Sequence, residues 1–247
     1  MRIAISGTAS IGKTTLIEDF LKEWPNYTKN NYTYRDVLKN HSKNTDSDVQ
    51  WTILNNMIDE LQKYDKNDNV IFDRCPLDNL VYSMWSNNYG KIDDGFISKC
   101  IPLVKESMRL LDIVFFIPIT KVSPVPIIDD ERREIDPTYI QEIDQIFKAI
   151  IQQYQYNLNN TPFFPKDDSP GVIEIFGKRD ERIHLIRQYL NKDGNIIGDE
   201  GGSVFSEENL NELKELLEQQ KNSHFSEQFK KEQMNILKDL AKLNQSK

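Results

Sequence analysis

The sequence predicts an α/β fold: a three-layer αβα sandwich around a five-stranded parallel sheet, followed by a helical C-terminal extension. Three observations carry this expectation. Apolar segments of strand length alternate with stretches of helical periodicity through residues 1–191, the pattern of a parallel sheet covered on both faces. The first strand candidate runs directly into a glycine-framed turn and then an amphipathic helix. After Leu190 the alternation stops, and a polar stretch containing Gly194, Gly198, Gly201 and Gly202 leads into charge-rich helical segments.

Taken in order, Arg2-Ile3-Ala4-Ile5-Ser6 reads as a buried parallel strand. Gly7-Thr8-Ala9-Ser10-Ile11-Gly12-Lys13-Thr14 follows, then Thr15, and then Leu16, Ile17, Phe20 and Leu21 at helical spacing. This is a complete phosphate-binding loop. The glycines let backbone N–H groups curl around phosphate oxygens, and the helix N-terminus adds positive potential there. Lys13 has the reach for β- and γ-phosphates, and the Thr14 hydroxyl suits Mg2+. The pattern alone arises by chance in roughly one chain of this length in a hundred, and the flanking strand and helix make it far more specific. Gly7 through Thr15 are therefore the expected contacts of a nucleoside triphosphate.

Asn26 to Tyr34, aromatic and polar, is compatible with a short second strand. Asp46 or Ser47 caps a helix carrying Val49, Ile53, Met57, Ile58 and Leu61. After a polar break, Val70-Ile71-Phe72-Asp73 is a buried strand that ends in a carboxylate. Leu80, Val81 and Met84 mark the next helix, and Phe96 to Met108 another. Leu110 to Ile117 gives the strongest strand signal, after which Pro118, Pro124 and Pro126 break regularity. Ile140, Ile143, Ile146, Phe147 and Ile150 define an amphipathic helix. Gly171 to Gly177 is a fifth strand, and Ile183, Leu185, Ile186 and Leu190 belong to the helix behind it. In such folds ligands bind at the carboxyl ends of the strands, where the glycine loop and Asp73 would both lie.

Residues 192–247 read as a linker and helical extension. Ser206 with Glu207 and Glu208 makes a good helix start, and Leu210, Leu213, Leu216 and Leu217 share a face. Phe229, Ile236, Leu240 and Leu243 form a narrower stripe. The tail either packs on its own core or serves as an oligomerisation or partner-binding helix pair, so a homo-oligomer is one expectation.

Composition narrows the function classes. Hydrophobic residues make up 38% of the chain and the mean hydropathy is −0.61, with no apolar run near the roughly 20 residues that span a bilayer. The phosphate loop at the start argues against a removable signal peptide. Cys75 and Cys100 are the only cysteines, which suggests a reducing compartment, and a cytoplasmic protein is expected. His41, His184 and His224 show no metal-ligand spacing. A net charge of −8 with interspersed Lys and Arg disfavours a polynucleotide partner and favours a small substrate.

Two further constellations carry chemistry. Asp73-Arg74, directly after a buried strand, is followed by Cys75-Pro76-Leu77-Asp78. A strand-end Asp opposite the phosphate loop can hold Mg2+ through water or accept a proton from an attacking hydroxyl, and Arg74 can clamp a substrate; the bland alternative is a surface ion pair. Asp129-Asp130-Glu131-Arg132-Arg133-Glu134-Ile135-Asp136 suits a lid that closes on the nucleotide and brings an arginine to the transferring phosphate. Its alternative is a solvated charge run.

The succession resembles the P-loop NTPases that act as small-molecule kinases. It is most similar to the family that includes the nicotinamide-riboside kinase domain of the bacterial NAD regulator and related AAA-type proteins common in phages. Asp73 to Asp78 matches that family's D-R-x-P-L-D pattern. Asp112 to Pro118, with Asp129, Asp130 and Arg132 or Arg133, resembles its fourth strand and lid, and Ile173 to Gly177 with Arg182 its last strand and adenine-side loop. The similarity covers residues 1–191 and extends more distantly to deoxynucleoside and thymidylate kinases. It implies an ATP- and Mg2+-dependent kinase for a nucleoside, nucleotide or nucleoside-like acceptor. Lys13 would hold the phosphates, Thr14 and Asp73 the metal, and Arg132 or Arg133 the migrating phosphoryl group. Arg35, Arg74 and Asp78 would orient the acceptor, Gln50 falls where deoxynucleoside kinases place a base-reading glutamine, and Arg182 belongs to the nucleotide side. One departure stands out: relatives often carry an acid three positions before the counterpart of Arg35, and here that position is Tyr32, leaving Asp36 as the nearest substitute. The Asn-, Lys- and Ile-rich composition suggests an AT-rich genome, that of a phage or of a low-GC bacterium, and a phage origin would make the compartment the host cytoplasm. Two alternatives remain open on sequence alone, a P-loop ATPase acting as a regulatory switch and a kinase of nucleic-acid 5′ ends.

Overall fold

In the computed structural model of this protein, residues 1–34, 37, 46–121, 136–156 and 161–198 are described. Residues Met1–Asn195 form one compact unit. Its centre is β1 (Arg2–Ser6), buried along its whole length. The sheet also contains β2 (Thr28–Lys29), β3 (Val70–Asp73), β4 (Ile113–Phe116) and β5 (Gly171–Glu174), in the order β2-β3-β1-β4-β5 with every neighbouring pair parallel. Ile5 stands opposite Asp73 and Ser6 opposite Phe116. The carboxyl ends of the three central strands are therefore level.

Helices cover both faces, as the alternation predicts. They are α1 (Lys13–Glu23), α2 (Ser47–Leu61), α3 (Pro76–Asn88), α4 (Asp94–Ser107), α5 (Pro137–Tyr156) and α6 (Arg179–Ile186). One face, through Ala4, Phe72, Val114 and Phe116, packs on α2 to α5 by way of Leu54, Leu80, Val104 and Phe147. The other receives α1, with α6 packed against α1. The caps are the residue types expected: Asp46 accepts from the Val49 N–H at 2.9 Å, and Asp93 from the Phe96 N–H at 2.7 Å. Tyr27 and Trp24 fasten the last described turn of the unit, donating to the carbonyls of Gly194 and Asn191 at 2.6 and 2.8 Å.

Three elements are shorter than the sequence suggests. The expected strand at 110–117 becomes a 3-10 turn at Met108–Leu110 and a strand only from Ile113. Asp112 explains the late start. Its carboxylate accepts from the Arg2 backbone N–H at 2.7 Å and from the Arg2 guanidinium at 3.1 Å, fixing where the ladder begins. The fifth strand ends at Glu174, since Gly177 at φ 93° turns the chain away. The last helix stops at Ile186, four residues before the buried Leu190. Arg35, Asp36, the lid at 129–135 and the expected helices at 206–217 and 229–243 lie outside the described residues. Among those described, no helix is long and apolar enough to cross a membrane.

Candidate functional site

From β1 the chain first builds β2 and β3 on one side of the sheet and then crosses to β4 and β5 on the other. The end of β1 is thus the point where the winding reverses, which is where open parallel sheets form a ligand crevice. The glycine loop occupies it. Gly7 sits at φ 140°, and a Cβ there would lie 2.8 Å from the carbonyl oxygen of Ile117 at the end of β4. Gly12, at φ 89°, turns the loop into α1. Between them Ile11 is buried as an apolar anchor, Ser10 adopts φ 60°, and the buried Thr8 donates from its hydroxyl to the Ile140 carbonyl at 3.2 Å. Ala9 and Thr15 are partly exposed. Gly7→Ala is expected to lose about 1–3 kcal/mol of stability from backbone strain and the Ile117 contact. An unchanged urea midpoint would contradict that reading of the loop.

Lys13 bridges the mouth of the loop. Its ammonium donates to the Gly7 carbonyl at 2.8 Å and the Thr8 carbonyl at 2.6 Å, so its charge sits among the loop's backbone groups. The next residue, Thr14, donates from Oγ1 to Asp73 Oδ2 at 3.4 Å. The contact joins the first turn of α1 to the end of β3. The Asp73 N–H in turn donates to Asn30 Oδ1 at 3.4 Å. Lys13, Thr14 and Asp73, singled out separately in the sequence, form one cluster.

Arg74 and Asp78 form a second cluster beside it. Arg74 takes the left-handed backbone conformation, φ 81°, which costs a non-glycine residue about 1–2 kcal/mol. Its N–H still donates to the Ile5 carbonyl at 3.0 Å, extending the β1–β3 ladder. Its guanidinium lies 4.8 Å from the ring centres of both Tyr34 and Tyr82, and donates to the Tyr82 hydroxyl at 3.2 Å. Burial opposes its charge, but Tyr82, Tyr34 and Asp78 together hold its pKa above the ordinary value. Asp78 is fully buried. Its carboxylate accepts from Ser6 Oγ at 2.8 Å, the Cys75 N–H at 3.0 Å, and the Gly7 N–H and Arg74 guanidinium at 3.4 Å each. It therefore ties the start of the phosphate loop to the first turn of α3, with its charge at a helix N-terminus. Burial, and next the Asp78 carboxylate, push the Cys75 thiol well above its usual range, so it stays protonated and is no nucleophile.

The remaining sequence candidates fall at the edges of this pair. Gln50 is buried in α2, where its side-chain oxygen accepts from Asn79 Nδ2 at 2.7 Å. Arg182 braces the loop from α6, donating to the Ile11 carbonyl at 2.7 Å and the Gly177 carbonyl at 3.0 Å. Arg35, Arg132 and Arg133 lie outside the described residues. Sequence reasoning passed over Tyr34, Tyr82, Asn79, Ser6 and Asn30. Only Tyr82 had a legible signal: it follows Asp78 by four residues, one turn further along α3.

This sheet order, with a Lys- and Thr-bearing glycine loop on β1 and a carboxylate on β3, is that of a P-loop NTPase α/β fold. The chain belongs to the AAA domain family, whose sequence model matches residues 2–164. Among curated protein sequences none matches. Solved structures do. The deoxyadenosine kinase of M. mycoides, with products dCMP and a flexible dCDP bound, is 17% identical with a TM-score of 0.57, over 76% of this chain and 97% of that one. The NadR protein in complex with NR is 16% identical at TM-score 0.52, over 76% of this chain and 51% of that one. Thymidylate kinase from Candida albicans is 14% identical at TM-score 0.51, over 80% and 95%. At these identities the likeness shows a shared fold.

Proposed function

We propose that the protein is an ATP- and Mg2+-dependent kinase that phosphorylates a nucleoside, nucleotide or nucleoside-like small molecule. The observation that carries this reading is the Thr14–Asp73 contact at 3.4 Å, next to Lys13 in the loop. It sets one neutral and one anionic oxygen at the N-terminus of α1, where phosphates are favoured. Such a hard-oxygen pair fits Mg2+, which keeps most of its waters and takes one or two protein oxygens plus phosphate. Among the described residues no group of three or more His, Cys, Asp or Glu could hold a metal, as a dedicated protein cage would require. Bound there, Mg2+ would neutralise charge developing between the β- and γ-phosphates.

The chain's own residues would do the rest. Lys13 and the loop amides orient the phosphates, and Arg182 keeps the loop in register from behind. Arg74, held by Tyr34 and Tyr82, presents a fixed cation on the acceptor side, and Asp78 locks that cation to the loop. Arg132 or Arg133 would meet the migrating phosphoryl group. Proximity and charge stabilisation carry this reaction, so little covalent chemistry is needed. The kinase domain would comprise residues 1–191, working in the cytoplasm, with 192–247 as its extension. ADP release measured across nucleosides, nucleoside monophosphates and nicotinamide riboside tests the proposal. An acceptor-dependent burst is expected. Slow release indifferent to every acceptor would replace it with the ATPase-switch reading.

Asp73→Asn keeps the shape of the strand end but removes its charge, so turnover should fall by about 10²-fold or more. The half-saturating Mg2+ concentration should rise with it. Near-wild-type turnover in that variant would take Asp73 out of the chemistry. Arg74→Ala should raise the acceptor KM more than the ATP KM. Because it also leaves the Asp78 carboxylate buried with one partner fewer, the thermal midpoint should drop too. Equal effects on both substrates would make Arg74 a purely structural residue.

A further inference from the structure

One face of α5 reaches both the phosphate loop and the strand end behind it. Ile140, Asp144 and Lys148 follow one another at a spacing of four and so share that face. The Ile140 carbonyl accepts from the hydroxyl of the fully buried Thr8 at 3.2 Å. Asp144, 2% exposed, accepts from the Ile119 N–H at 2.9 Å and pairs with Lys148. The Lys148 ammonium also donates to the Ile119 carbonyl at 2.7 Å. Both backbone groups of Ile119 therefore end on α5, although β4 closes earlier, at Phe116. Apolar residues would hold a helix against a sheet at least as well as a buried ion pair does. What the charged pair adds is direction, because it fixes one backbone unit in one place.

Ile119 lies two residues past Ile117, whose N–H donates to the Ser6 carbonyl at 3.0 Å. The Ile117 carbonyl oxygen stands against Gly7, 2.8 Å from where a Cβ would lie. Gly7 is thus backed by the exit of β4 that Asp144 holds, and Thr8 is bonded to α5 directly. Gly7 and Thr8 are the residues whose carbonyls accept from the Lys13 ammonium, at 2.8 and 2.6 Å. Both of these carbonyls rest on α5, which meets Thr8 from 132 positions further along the chain. A displacement of about 1 Å in a group that serves the chemistry can cost on the order of 10²-fold, so the contacts that seat such a group matter beyond their own strength.

We propose that Thr8 and Asp144 are positioning residues, through which α5 sets the Lys13 ammonium for the phosphates of a bound nucleotide. Thr8 acts on its own carbonyl. Asp144, with Lys148, acts through Ile119 and Ile117 on that of Gly7. The proposal rests on the nucleotide half of the kinase reading and is independent of the acceptor.

Calorimetric titration of the full chain with MgATP tests it, with a thermal melt for each variant. Thr8→Val keeps the shape of the side chain but removes the donor, and should weaken MgATP about 10-fold. Thr8→Ser keeps the donor and should stay within about 2-fold of the wild type. In a Lys13→Ala background the same Thr8→Val change should cost no more than about 2-fold, because the cation that it seats is gone. Lys148→Met frees the Ile119 carbonyl at a side chain that is 38% exposed, and serves should Thr8→Val fail to fold. It should weaken MgATP about 3-fold or more, again only while Lys13 is present. Wild-type affinity in both Thr8→Val and Lys148→Met overturns the inference. So does an equal loss in Thr8→Ser, or a full additional loss in the Lys13→Ala background, which a merely structural role would give. No binding of MgATP by the wild type overturns the inference together with the nucleotide reading of the loop. Binding with the expected pattern but no phosphoryl transfer to any acceptor overturns the kinase reading and leaves the roles of Thr8 and Asp144 standing.

Discussion

Lys13→Ala should lose about 10³-fold or more in kcat/KM for ATP while keeping the wild-type circular dichroism spectrum. Lys13 stands at the first position of α1, and its ammonium donates to the loop carbonyls of Gly7 and Thr8. The core beneath is built from Leu16, Ile17 and Phe20, which the substitution leaves in place. Losing the cation is therefore expected to remove phosphate neutralisation while the apolar core beneath stays in place. Lys13→Arg should recover little, because a planar fork cannot replace a compact ammonium between two carbonyls 2.6 and 2.8 Å away. Steady-state kinetics with a thermal melt decide the matter. Wild-type-like turnover in a folded Lys13→Ala protein would remove the nucleotide site from this loop.

An Arg132→Ala/Arg133→Ala double variant should bind ATP normally yet transfer phosphate on the order of 10³-fold more slowly, the scale of an arginine finger. Both arginines lie in the acid-rich segment between β4 and α5, beyond the proline-broken stretch that starts at Pro118. The phosphate loop is anchored close to that connection, since Gly7 abuts Ile117 and Thr8 donates to Ile140. Stabilisation confined to the transition state lowers kcat and leaves ground-state affinity alone. Stopped-flow ATP binding and single-turnover transfer separate the two. Transfer at a near wild-type rate would reduce this segment to a charged loop and favour the regulatory ATPase reading.

Much of the fold was legible because its signals are local. A buried parallel strand is a short run of β-branched and apolar residues, as in Val70 to Phe72, and needs no partner to be recognised. The Asp46 cap and the apolar period of α2 and α5 are likewise written within one or two turns. The boundaries of β4 were not. Leu110 and Leu111 are as apolar as the strand that follows, and only the pairing of Asp112 with Arg2, 110 residues earlier, determines where the ladder starts. The partners of Arg74 were hidden for the same reason. Tyr34 reaches it from another segment, and nothing around Tyr34 in the sequence announces a cation over its ring.

The candidate site divides in the same way. By itself the sequence determined a phosphate loop framed by strand and helix, a carboxylate at the end of a second strand and an arginine beside it, because fixed spacing within one turn is all that phosphate binding demands. Only the tertiary structure decided that Thr14 and Asp73 meet, that Asp78 is sealed beneath the loop and bonded to Ser6, and that Gln50 is held in one orientation by Asn79. Those relations depend on strand order and helix packing, which bring together residues 29 to 72 positions apart, and local spacing carries no record of them.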